Sequence, residues 1–183
     1  SYLGQTYSLM NDSKTASGYY EKSLALYKKS YGEKHPDIAN AYNQLGILKL
    51  DQQNYEEALI NFQKAIIANV PYPIPYFSSE DLKRNPTIKE YYNGNGLLYS
   101  LRYKAKSLES QYYGNTLKID DLELALSCLH TCDSLIDDIR QNSSDESDKI
   151  ALGEIANEVY EDAVRIAHAM SEVTFDARPL KEE

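Results

Sequence analysis

The most reactive side chains of this sequence are gathered in Cys128-Leu129-His130-Thr131-Cys132. A thiol beside an imidazole is the raw material of a nucleophilic pair or of a zinc site. The spacing argues against both. On a helix Cys128 and Cys132 share a face, while His130 points about 200° away from Cys128. Cysteines four apart on a helix also fit a disulfide poorly. Both are therefore expected as reduced thiols packed near one helix face, which suits a reducing compartment. Of the other two histidines, His35 precedes Pro36 and fixes a turn, and His168 lies near the C-terminal end. Asp133, Asp137 and Asp138 form an acidic patch, which reads as a solvated helix face rather than an acid/base pair. No glycine-rich phosphate loop, Ser-His-Asp ordering or calcium-loop spacing is present, and Gly94-Asn95-Gly96 reads as a turn or helix start. The sequence predicts no catalytic residue, no metal site and no cofactor. Arg102 and Lys106 are a different case. Four apart, they stack on one helix face, where they could hold a carboxylate between neighbouring tyrosines. The plainer alternative is a solvated basic ridge paired to acidic neighbours such as Glu109.

The composition narrows the partners. Of 183 residues, 42% are hydrophobic and 26% charged, as in a folded globular chain. The net charge of -9 leaves no basic stripe for phosphates, so nucleic acid is not expected as the main partner. A polybasic membrane patch is absent, and no apolar run approaches the ~20 residues needed to span a bilayer. Ser1 opens directly into a helical pattern with no signal peptide and no start methionine. That beginning is expected of a piece cut from a longer, cytoplasmic protein. The aromatic content is unusual in kind, with Tyr 17, Phe 3 and Trp 0. Tyrosine fills helix interfaces while its hydroxyl reaches water or a backbone partner, and an excess of it also makes an adhesive surface.

The elements that must position these residues are helices. Tyr20, Leu24 and Tyr27 form one apolar stripe, Ile38, Tyr42, Leu45 and Leu48 a second, and Tyr55, Leu59, Phe62 and Ile66 a third. The pattern breaks at Val70. Pro71, Pro73, Pro75 and Pro86 favour an extended path, and Ser78 or Ser79 is placed to cap a short turn. Tyr72, Ile74, Tyr76 and Phe77 in this loop either pack on the scaffold or face a partner. Helices resume from Leu97 to Tyr113, then, after Gly114-Asn115, from Asp120 or Asp121 to about Arg140, and last from about Glu146 to Val173. The expected division is 1–70, a loop over 71–93, and 94–183.

Two stretches repeat each other. Leu3-Gly4, Ala16 and Tyr20 recur 42 residues later as Leu45-Gly46, Ala58 and Phe62. Small residues at such positions let paired helix backbones approach closely. Ala41 to Ile66 reads as helix, polar turn, helix, and this pattern resembles a tetratricopeptide repeat. The 42-residue form, with Tyr31-Gly32, His35-Pro36 and Ala39 in its connection, resembles the repeats of kinesin light chains and their bacterial relatives. Val159-Tyr160-Glu161-Asp162-Ala163 echoes Asn54-Tyr55-Glu56-Glu57-Ala58, so the second half reads as degenerate repeats of the same kind. The order AIIANVP, an NP-containing loop, LLYSLRYKAKSL, LELALSCLHTCDSLIDDIR and VYEDAVRIAHAM resembles the repeat region that precedes caspase-like CHAT domains in bacterial proteins.

The resemblance implies an all-α fold of antiparallel hairpins stacked as a right-handed solenoid, and a non-catalytic role in holding a protein or peptide. It also implies where the partner sits. The concave face of this class is built from the first helix of each hairpin, which puts Asn40, Asn43, Gln44, Ile47 and Leu50 inward. Aligned on Ala105, the matching residues are Tyr99, Arg102, Tyr103 and Lys106. Asparagine amides can pair with both donor and acceptor of an extended backbone. The alternative is a helical-repeat lipoprotein that captures glycans, because flat tyrosine faces stack on sugars. An open repeat end near Ser1 would allow a homodimer.

Overall fold

The structure is a computed structural model, and it describes residues 2–10, 12–73, 78, 81–85, 90–142 and 146–176, with backbone only for 146–151 and 174–176. Among the described residues the fold is all α. The helices are α1 (Tyr2–Leu9), α2 (Ser13–Tyr31), α3 (Pro36–Asp51), α4 (Tyr55–Ala68), α5 (Gly94–Gln111), α6 (Ile119–Asn142) and α7 (Glu146–Asp176). Each packs on the next in sequence, and α3 touches α5 as α5 touches α7. Three hairpins followed by α7 are thus stacked so that α3, α5 and α7 share one side.

Local chemistry sets the helix ends. Asp12 accepts from the Thr15 amide and Asn54 from the Glu57 amide, the same N-cap 42 residues apart. Gly32 closes α2 at φ 80°, with its N–H on the Lys28 carbonyl; a positive φ there suits glycine alone among common residues. The His35 ring stacks on Tyr31 with centroids 3.9 Å apart. Its Nδ1 accepts from the Asp37 amide at 3.1 Å, so this histidine caps α3 with Pro36 in the first turn.

The repeat spacing has a direct packing cause. A Cβ added to Gly4 would lie 2.5 Å from the Tyr20 ring, and one added to Gly46 would lie 2.7 Å from the Phe62 ring. Ala16 and Ala58 are both fully buried beside them. The two hairpins therefore close by the same device, glycine on one helix under an aromatic ring on the other. Filling that space costs about 1–3 kcal/mol and emptying it by Phe62→Ala about 3–5 kcal/mol. In the second half Ala105, Ala125 and Leu129 lie in the main core, all 1% exposed or less.

Both ends of the fifth helix differ from expectation. It starts at Gly94, capped by the Asn93 side chain, and stops at Gln111. Residues Tyr112–Thr116 then widen into a π turn, and Leu117 adopts φ 50° with its amide on the Tyr112 carbonyl. Gly114 in this turn lies against the Tyr55 ring, where a Cβ would come within 2.8 Å. The Val159–Ala163 echo keeps the place expected of it in the last helix. It lies inside the 31-residue α7, where Tyr160 is exposed and Asp162 is buried.

The segment between α4 and α5 is stitched at its base. Asn93 donates its amide to Asn69 Oδ1 at 2.9 Å, and Asn69 Nδ2 donates to the Asn93 carbonyl at 2.7 Å. Lys34 Nζ donates to the carbonyls of Ile67, Val70 and Tyr72, closing the C-terminal end of α4 with a cation. Ser78 Oγ accepts from the Asp81 amide, as the capping expectation had it for one of the two serines. Lys104, fully buried on α5, donates to Gln63 Oε1 at 2.9 Å, the Arg84 carbonyl at 2.7 Å and Asn85 Oδ1 at 3.2 Å. Burial pushes its ammonium down, an effect that Cys128 and Asp81 partly offset. Tyr72 is half-buried and accepts from the Glu90 amide at 3.3 Å. Ile74, Tyr76 and Phe77 lie outside the described residues.

Candidate binding groove

The residues forecast for the inner face divide into two groups. Asn40, Asn43, Gln44 and Tyr99 line one cavity of about 430 Å³. Its wall on α3 also includes Asp37, and Asn69 and Asn93 from the linker ends, Asn95 and Gly96 from α5 and Ile155 from α7 complete it. The α3 residues fall on one face because positions i, i+3 and i+7 stack along a helix. Stitching Asn69 to Asn93 brings the start of α5 against α3, which carries Asn95 to the rim.

These side chains differ in what they can still bind. Asn43 is 3% exposed, and the Ser100 hydroxyl bridges its amide and the Gly96 carbonyl at 2.9 Å each. Gln44 Oε1 accepts from the Tyr20 hydroxyl at 3.3 Å. Asn93 Oδ1 accepts from the Gly96 amide. Asn40 and Asn95 are exposed. Asn43 and Asn93 are thus largely structural, whereas Asn40 and Asn95 present amides with no side-chain hydrogen bond among the described residues.

Ile47, Tyr103 and Lys106 lie outside this cavity. Tyr103 stacks on Tyr99 with ring centroids 4.3 Å apart and tilts against Phe62 at 5.8 Å. Burial first, then the hydrogen bond to Tyr103, pushes the Tyr99 phenol well above its usual range. Lys106 is exposed with its ammonium 5.7 Å from the Tyr103 ring, a cation–π contact.

Arg102 is placed differently from the expectation that it holds a partner's carboxylate. Its guanidinium, 18% exposed, is paired with Asp162 at 2.7 Å and with Glu158. Glu109, named beforehand as its neighbour, instead takes Arg165 of α7 in a two-pronged pair at 2.7 and 2.8 Å. Arg165 also reaches Asp162 at 2.9 Å. Glu158, Arg102, Asp162, Arg165 and Glu109 thus form one chain of ion pairs between α5 and α7. No local pattern points to its links between the two helices, whose partners lie more than fifty positions apart.

Cys128 and Cys132 are buried free thiols, and His130 is exposed on the other side of α6. Cys128 donates to Asn85 Oδ1 at 3.0 Å, and burial pushes its thiol up to about 11. Among the described residues no group of three or more His, Cys, Asp or Glu is placed to hold a metal ion, and no helix is long and apolar enough to cross a membrane.

Stacked helical hairpins with a polar groove across alternate helices define a helical-repeat protein. The family model described as Tetratricopeptide repeat matches residues 1–66, from α1 almost to the end of α4. The match supports a tetratricopeptide repeat protein, and tetratricopeptide repeats commonly mediate protein–protein interaction. No curated protein and no solved structure matches the chain.

Proposed function

We propose that this chain is a non-catalytic scaffold that holds an extended peptide or protein segment in the groove between α3, α5 and α7. The observation that carries this reading is the convergence of Asn40, Gln44, Asn95 and Tyr99 on one cavity. Exposed amides offer donor and acceptor to a backbone that has no other partner, and the Tyr99 ring and Ile155 give its side chains apolar contact. The 42-residue period and the Tyr31-to-Pro36 connection support the long-repeat, kinesin-light-chain-like form. By its resemblance to repeats that precede CHAT domains, the chain is proposed to be a recruiting or regulatory region of a larger cytoplasmic bacterial protein. Tyr2 and Leu9, 90% and 87% exposed, are where a second copy would dock.

Site-specific photo-crosslinking tests the groove. A benzophenone side chain at Asn40 is expected to capture a defined set of proteins from source lysate that the same probe at His130, on the outer surface, does not. Equal capture at both positions would remove the groove from the proposal.

A further inference from the structure

We infer that the groove selects a segment carrying a lysine or arginine, with that cation seated against Asp37; this rests on the peptide-holding role proposed above. The lining itself makes the argument. Among the described residues that line the groove Asp37 carries the only carboxyl group, and no lysine, arginine or histidine lines it. The Asp37 side chain is 48% exposed, and His35 Nδ1, 3.5 Å away, is already taken up as the acceptor of the Asp37 amide and offers the carboxylate no proton. Asp37 lies one turn before Asn40 and two turns before Gln44, so cation and backbone would be read from one stripe of α3.

The cations that could favour an acidic segment are already engaged. Arg102 is held by Glu158 and Asp162, and Arg165 by Glu109 and Asp162. Two positive charges set against three negative ones leave that part of α5 and α7 negative. Lys34 is turned into the carbonyls of Ile67, Val70 and Tyr72 at and beyond the end of α4, and Lys106 sits over Tyr103, outside the groove. The whole chain carries -9, which adds a long-range pull on basic segments. An incoming carboxylate would meet Asp37 with no free guanidinium to answer it, whereas an incoming ammonium would meet a half-exposed carboxylate.

The test is a randomised nonapeptide display library panned against three proteins: wild type, Asp37→Asn, and Asn40→Ala/Asn95→Ala. Circular dichroism confirms that each is folded. Wild type is expected to enrich Lys and Arg over Asp and Glu by about fivefold, the worth of one exposed ion pair. Asp37→Asn is expected to bring that ratio near one while still retaining neutral peptides. The double variant is expected to lower retention of all classes. Enrichment of acidic peptides, or basic enrichment that survives Asp37→Asn, would overturn the charge selection and leave the groove standing. Retention by wild type no higher than by the double variant would overturn the groove itself.

Discussion

At the scale of single residues, Cys128 does work that its reactivity does not suggest. It is fully buried, and its thiol is hydrogen-bonded to Asn85 beside the Lys104 ammonium. Its titration point is raised from 9.0 to about 11 by burial. In that window the unfolded chain has released the thiol proton and the folded chain has kept it. The thiol's contribution is therefore complete below pH 9 and is lost as pH rises towards 11, by roughly 3 kcal/mol for two pH units. Tyr91, raised to about 12 by burial and then by Asp138, acts in the same direction at higher pH. Lys104, pushed down, acts in the opposite direction, since the folded chain gains as that ammonium loses its proton. A comparison between variants separates these effects. Cys128→Ala should lower stability at pH 7 but flatten its fall between pH 9 and 11, as read from urea midpoints. A fall as steep as that of wild type would mean the thiolate is not excluded from the fold.

At the scale of elements, what was legible depended on sequence distance. Glycine under an aromatic ring recurs at 42 residues, so the first two hairpins could be read from Gly4, Tyr20, Gly46 and Phe62. Helices of the second half are legible from their stripes, and α6 and α7 begin and end within three residues of expectation, but α5 starts earlier and ends in a turn that its sequence does not announce. The π turn at Tyr112–Thr116 is fixed by the close approach of Gly114 to Tyr55 on α4, a contact between distant residues with no local signal. The linker shows the same limit. Its prolines said that helix stops, but not that Lys34 and Lys104 would hold it from two sides. Lys34 donates to three backbone carbonyls and Lys104 to one, and a buried carbonyl that loses its donor costs about 1–3 kcal/mol. Lys104→Met should therefore speed tryptic cleavage at Lys83 and Arg84 while the far-ultraviolet dichroism of the helices stays near that of wild type. Unchanged cleavage would show that the linker is held by its apolar contacts, such as Leu82 and Tyr91 on the core.

At the scale of the whole molecule, a stack of hairpins is quasi-one-dimensional, and each unit is held only by its neighbours. The first two hairpins rest on apolar closure at Gly4 and Gly46. The far wall of the groove rests on more: Ile155 belongs to α7, which reaches α5 through the ion-pair chain of Arg102 and Arg165. Asp162 and Glu109 are 8% exposed, so removing both arginines leaves two buried carboxylates without cations, and breaking such pairs from one side is strongly destabilising. Arg165 is 52% exposed on its side chain, which lowers its share through solvent screening. Arg102→Ala/Arg165→Ala should raise amide hydrogen exchange across α7 and the facing turns of α5, and leave residues 1–66 close to wild-type protection. The same variant should weaken any groove ligand without touching a residue that lines the cavity, because Ile155 is no longer held in place. Exchange rising equally along the whole chain would instead mean that α7 and the first hairpins unfold as one unit. The groove would then be a product of global stability rather than of this latch.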